Sequence, residues 1–229
     1  IFIFIIIHIN IIIFIYKMNP LLVETSTEYL QKLTNIHSKN VIEADTNQNY
    51  VMLQFDKDMV CKDDQLRGKY SSVVIDPETR NVLSIGPPKT IPYDLFQELF
   101  KEEVPENIIW EPLFEGVFVQ LFYDYRANFW EISTRNSISG KYAFYRMKDD
   151  PCPTFREMFY DAIGLNYEDP LSTWSHLESL DKTCCYHFIL QHPKHHIIYP
   201  ISTPTLHLVG KTQIGYDNIR NNVHISNKL

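Results

Sequence analysis

Positive charge is in short supply in this chain. Its 229 residues carry 21 Lys and Arg against 28 Asp and Glu, a formal net charge of -7. A bulk electrostatic grip on nucleic acid needs a basic surface, so that mode is excluded and only a local basic groove remains open. Cysteine is also sparse, with Cys61, Cys152, Cys184 and Cys185 alone. Their spacing gives neither a zinc site nor a disulfide framework, and adjacent Cys184 and Cys185 point to opposite faces of any strand. Reduced thiols in a cytoplasmic protein are the expectation. The sequence contains no P-loop, no glycine-rich dinucleotide motif and no recognisable Ser-His-Asp arrangement. Internal repeats and linker-like stretches are missing too.

What is present is core-forming material. Apolar residues make up 45% and aromatics 14% of the chain, which indicates a folded protein rather than a disordered one. Residues 1–17 are an Ile- and Phe-rich run whose composition is that of translated AT-rich DNA, and an ordinary polar sequence begins at Met18. The expectation is upstream translation over 1–17 and a domain over 18–229. As a membrane anchor the run is short: a helix of about 24 Å against a hydrocarbon core of about 30 Å. His8 and Asn10 near its middle add cost, and it lacks the basic start and cleavage site of a signal peptide. No membrane partner is expected.

Along the rest of the chain, Thr25-Ser-Thr-Glu28 is a capping box that predicts a helix to about His37. Tyr50–Phe55 reads as a strand. Hairpins are predicted at 73–85, around Asp76-Pro-Glu-Thr-Arg-Asn81, and at 117–134, around Asp124-Tyr-Arg-Ala-Asn128. Helices are predicted over Asp94–Glu103, over 154–164 from a second capping box at Thr154 and Glu157 to Gly164, and over Ser172–Leu180. Residues 184–210 predict a strand, a sharp His192-Pro193 turn and two further short strands. The tail from Lys211 is polar, without a clear period. The fold class is α+β, with antiparallel hairpins and helices packed on them.

Three blocks carry a resemblance. The first is Leu66-Arg-Gly68, the hairpin after it and Pro87-Pro-Lys89. The second is Phe114-Glu-Gly-Val-Phe-Val-Gln-Leu-Phe-Tyr123 with Trp130-Glu-Ile-Ser-Thr-Arg-Asn-Ser-Ile138. The third is the 184–210 stretch. In order and spacing they resemble the phage-type RNA ligases, covalent nucleotidyltransferases, and more closely the ligase-like proteins of large DNA viruses. The resemblance implies a nucleotidyltransferase fold with antiparallel sheets around a nucleotide cleft. It also implies ATP and Mg²⁺ as cofactors, RNA ends as substrates, and a host-cytoplasmic or viral-factory location. Such enzymes attack the α-phosphate of ATP with a lysine amine two residues before an acidic residue and a glycine. Glu115-Gly116 matches that acidic–glycine pair, but the lysine position is Leu113, which has no nucleophile. Ile189 stands where the family has a pocket glutamate. The later lysine-bearing strands have no clear counterpart, with Lys211 a weak candidate, so the domain is expected to be incomplete at its C-terminus.

The expected outcome is an impaired ligase-like domain whose nucleotide-binding residues are Glu115, Gly116, Arg135, Lys89 and Arg67. The alternative is a non-catalytic nucleotide-, RNA- or protein-binding module on the same fold. Arg135 ends a strand and suits a phosphate. Lys89 follows two prolines, Glu115 suits a ribose or a metal-bound water, and Arg67 precedes a glycine turn. His187, His192, His195 and His196 cluster with Cys184 and Cys185, but their spacing matches no zinc pattern, so no metal ligand is assigned. Turn packing or a polar pocket rim is expected of His195 and His196.

Overall fold

In the computed structural model, residues 2–5, 12–16, 21–24, 36–43, 48–56, 64–88, 90, 92–99, 101, 108–112, 114–143, 152–195, 198–217 and 222–227 are described. The predicted hairpins organise the architecture. Strands β1 (Phe2–Ile5), β2 (Ile12–Tyr16) and β8 (Ile108–Pro112) form one antiparallel sheet. Strands β4 (Ile36–Glu43), β5 (Gln48–Phe55), β6 (Val73–Ile75) and β7 (Val82–Ile85) form a second. The third sheet has six strands, in the order β10 (Phe129–Thr134), β9 (Val117–Asp124), β11 (Cys184–Gln191), β12 (Thr205–Asp217), β13 (Asn222–Asn227) and β3 (Leu21–Glu24). The described helices are few: α1 (Gln65–Gly68), α2 (Tyr93–Leu99) and α3 (Phe155–Ile163), with two short 3₁₀ turns. The class is therefore α+β. Among the described residues no helix is long and apolar enough to cross a membrane.

The six-stranded sheet is buried on both faces around β9 and β11. Val119, Leu121, Ile132, Tyr186, Phe188 and Leu190 pack toward α3, where Phe155, Met158 and Phe159 close the core. Helix α3 forms there because Thr154 and Glu157 complete a reciprocal capping box and Gly164 ends it at φ 72°. The opposite face packs on β5, β6 and β7, with Phe122, Cys185 and Ile214 joining Tyr50, Leu53, Val73 and Ile85. Period-two alternation thus sorts one strand into two cores, because both faces are covered.

Both hairpins turn in the same way. The amides of Arg80 and Asn128, each left-handed (φ 61° and 59°), donate to the carbonyls of Asp76 and Asp124 at 2.9 and 2.7 Å. Each aspartate side chain accepts an N–H two residues on, from Glu78 and Arg126. Arg126 also reaches Asp76 at 3.2 Å, and buried Tyr50 donates to Asp124 at 2.9 Å. These bonds fasten the two sheets at their hairpin-turn end.

Four expectations are corrected. Residues 25–35 of the first predicted helix lie outside the described residues, but Ile36 and His37 are in β4, paired with Phe55 and Gln54. The helix predicted to Glu103 is described over Tyr93–Leu99 as α2, and Lys101 is not helical, while residues 100, 102 and 103 lie outside the described residues. The helix expected at 172–180 is two 3₁₀ turns, because Trp174 between them is extended and sets its ring edge-on to Phe159. After the His192–His195 turn, residues 198–204 form no strand, and β12 is one 13-residue strand rather than two short ones. It continues through the tail that showed no period. A register shift opposite His187 and Phe188 breaks the alternation of β12, and its inward residues after the shift begin with Gly210 and Thr212. An apolar count sees no strand in such a sequence.

Candidate functional site

The face of the six-stranded sheet turned toward β7 is arranged in rows, because cross-strand partners point the same way. Ser133, Gln120, His187 and Gly210 pair across β10, β9, β11 and β12 and form a buried polar row. Gln120 donates to Ser72 Oγ at 2.8 Å and accepts from Ser84 Oγ at 2.6 Å. His187 Nε2–H donates to the Ile85 carbonyl at 2.9 Å. Ser133 Oγ is buried and has no partner among the described residues. Burial pushes the Cys185 thiol up to about 12 and the His187 imidazole down to about 4. Both are neutral at pH 7, so this pair does not supply a thiolate and an imidazolium.

The next row outward is Phe118, Ile189 and His207, again cross-strand partners and each half-buried. It lies at the less buried edge of the face that packs on β5, β6 and β7. The Arg135 guanidinium lies over the Phe118 ring, 5.5 Å from its centroid. Arg67, Arg126 and Arg156 each hold a carboxylate, on Asp64, Asp76 and Glu131 at 2.7, 3.2 and 2.6 Å. Among the described residues no carboxylate pairs with Arg135. The residue keeps exposed surface, yet the protein around its guanidinium disfavours the charge and lowers its pKa.

The segment before β9 crosses this edge. Val117 is still in register with Leu190 of β11, yet Phe114 stacks on His207 of β12, one strand further. The chain passes over β11 at Gly116, where a Cβ would lie 2.4 Å from the Leu190 carbonyl oxygen and 2.7 Å from Ile189 Cγ2. Only glycine permits that approach. Beyond it the ring centroids of Phe114 and His207 are 4.0 Å apart and the planes 6° from parallel. His207 Nε2–H donates to Gln191 Oε1 at 2.8 Å, and Gln191 Nε2 donates to the Glu115 carbonyl at 2.9 Å.

Three sequence-predicted positions therefore converge here with Ile189: Glu115, Gly116 and Arg135. Glu115 has a definite local task. Its two carboxylate oxygens accept the amides of Ile198 and Tyr199 at 2.8 and 2.9 Å, which pins the β11–β12 connection. Leu113 and Lys89 lie outside the described residues. Arg67 is engaged with Asp64, the N-cap of α1. The stretch after α1 returns to this end of the sheets: Phe55 N–H donates to the Tyr70 carbonyl, and neighbouring Gln54 donates to the carbonyl of Arg135. Phe118, Gln191 and His207 were not singled out from sequence. Their convergence depends on the Gly116 crossing and on the β12 register, neither of which leaves a local motif.

The histidine cluster resolves into packing. His192 Nδ1 accepts the Lys194 amide at 3.1 Å, leaving Nε2–H for Asp161 at 3.2 Å, and His195 meets the Phe155 ring edge-on. Residue 196 is outside the described set. Among the described residues no group of three or more His, Cys, Asp or Glu is placed to hold a metal ion. Compared with known proteins, the chain matches no family model, no curated protein and no solved structure.

Proposed function

We propose that the chain is an RNA-ligase-like nucleotidyltransferase domain that binds the phosphates of ATP or of an RNA end and does not adenylylate itself. The observation that carries this is Arg135: a guanidinium without a carboxylate partner among the described residues, partly desolvated, over the half-buried Phe118 ring just past the end of β10. A cation in that state gains from an anion, and phosphate accepts the planar guanidinium fork in a bidentate way. The loss of self-transfer rests on other residues. Leu113 offers no amine, Ile189 offers no carboxylate, and the oxygens of Glu115 already accept two backbone N–H groups. The described residues thus do not fit a bound Mg²⁺ beside a lysyl nucleophile.

Calorimetric titration with ATP and with inorganic triphosphate tests the phosphate site. Arg135→Ala should weaken both by about 10- to 100-fold, about 1.4–2.8 kcal/mol, the range of a charge-assisted contact. Arg135→Lys should recover only part, because lysine lacks the planar fork. Thermal melting should change little, since among the described residues the substitution breaks no salt bridge, only the contact with the Phe118 ring. Unaltered triphosphate affinity in Arg135→Ala would remove the basis for this function.

A further inference from the structure

Two rings beside the Gly116 crossing stand apart from the hydrophobic cores. Phe114 and His207 belong to neither hydrophobic core cluster, yet they stack nearly parallel, each with surface still exposed. Bringing them together requires the close crossing of Gly116 over β11. His207 is held by Gln191, and Gln191 also holds the Glu115 carbonyl beside Phe114. The hydrogen bond fixes the plane and tautomer of the imidazole, and burial lowers its pKa, so the ring is presented neutral. On the same row of the sheet, across Ile189, stands Phe118, with Arg135 over its ring and no carboxylate among the described residues paired to that guanidinium.

We propose that the Phe114–His207 pair is a shelf for a planar aromatic ring, the base of a purine nucleotide whose phosphate reaches Arg135. This rests on the phosphate site proposed above and adds the base to it. An orientationally fixed pair loses little freedom when a third ring stacks on it, and every base offers a π-face, so the contact favours bases in general over one sequence. Recognition is by stacking, with Gln191 committed to holding His207 rather than to reading a base edge.

The test separates base from phosphate. The full chain is titrated with AMP, with ribose 5-phosphate, and with 2-aminopurine ribonucleoside 5′-phosphate, whose fluorescence is quenched when its ring stacks. The wild type is expected to bind AMP at least tenfold more tightly than ribose 5-phosphate and to quench the fluorescent analogue. His207→Ala and Phe114→Ala should bring the ratio close to one and abolish quenching, while ribose 5-phosphate binding stays. His207→Phe, which restores a stackable ring, should restore the ratio, a result that mere structural damage at this position would not give. Equal affinity of the wild type for AMP and ribose 5-phosphate overturns the shelf and leaves the phosphate site standing. Binding of neither overturns both. A preference for AMP that survives both alanine variants places the base elsewhere and also overturns the shelf.

Discussion

Gly116→Ala is expected to lower the stability of the domain by about 3 kcal/mol, at the upper end of ordinary single substitutions. The added methyl would sit 2.4 Å from a backbone oxygen and 2.7 Å from Ile189. The oxygen belongs to the central strand β11, paired on both sides, so it has little freedom to retreat. The chain must instead lift away from β11. That would separate Phe114 from His207 and withdraw Glu115 from the Ile198 and Tyr199 amides. Urea denaturation would show the loss as a lower midpoint, and amide exchange at 198 and 199 would accelerate. A variant as stable as the wild type, with both amides still protected, would mean that the crossing is looser than described. Ile189→Ala would not repair Gly116→Ala, because the carbonyl clash remains.

The second large effect is acid destabilisation through His187. In the folded chain burial holds this imidazole neutral until about pH 4, against an ordinary value of 6.5 in the unfolded chain. Protons therefore bind the unfolded state first. The contribution is fully present above pH 6.5 and is lost progressively as pH falls toward 4. By linkage the loss amounts to about 3 kcal/mol. Ile85, Phe118 and Gly210, which the ring meets, are not ionisable, Cys185 on the same face keeps its proton well above neutrality, and the Arg135 guanidinium over Phe118 stays charged throughout this range. His187→Gln keeps a donor for the Ile85 carbonyl and cannot titrate in this range. Its stability should be flatter than that of the wild type between pH 6.5 and 4.5 in guanidinium melts. Identical pH slopes for the two proteins would show that His187 is not the group being protonated.

Much of the scaffold was legible because it rests on local signals. The Asp76 and Asp124 turns, the Thr154–Glu157 box with Gly164, and the alternation of 117–134 each lie within a few residues of one another, and each formed as expected. What escaped depends on relations between distant residues. Strand β12 hides behind a register shift and inward Gly210 and Thr212. The 3₁₀ turns around Trp174 follow from that ring packing on Phe159, which no helical period records. At the site, Gly116 was visible as half of a motif, but its physical role as the crossing point over β11 was not. Arg135 was legible as a strand-end cation, whereas its lack of a carboxylate among the described residues is a property of the fold. Glu115 shows the limit most clearly: the same carboxylate that suits a ribose also suits two amides 83 and 84 residues away.

In the proposed function this domain holds a nucleotide without bonding to it. The most direct measurement is retention of α-labelled ATP by the full chain with Mg²⁺, counted on one sample before and after acid denaturation. Label should be retained by the native protein, reduced by about 10-fold or more in Arg135→Ala, and absent once the chain is unfolded. Label that survives denaturation would contradict the account and point to a displaced lysine, with Lys89 the first to replace. Label that the native protein never retains would contradict it from the other side.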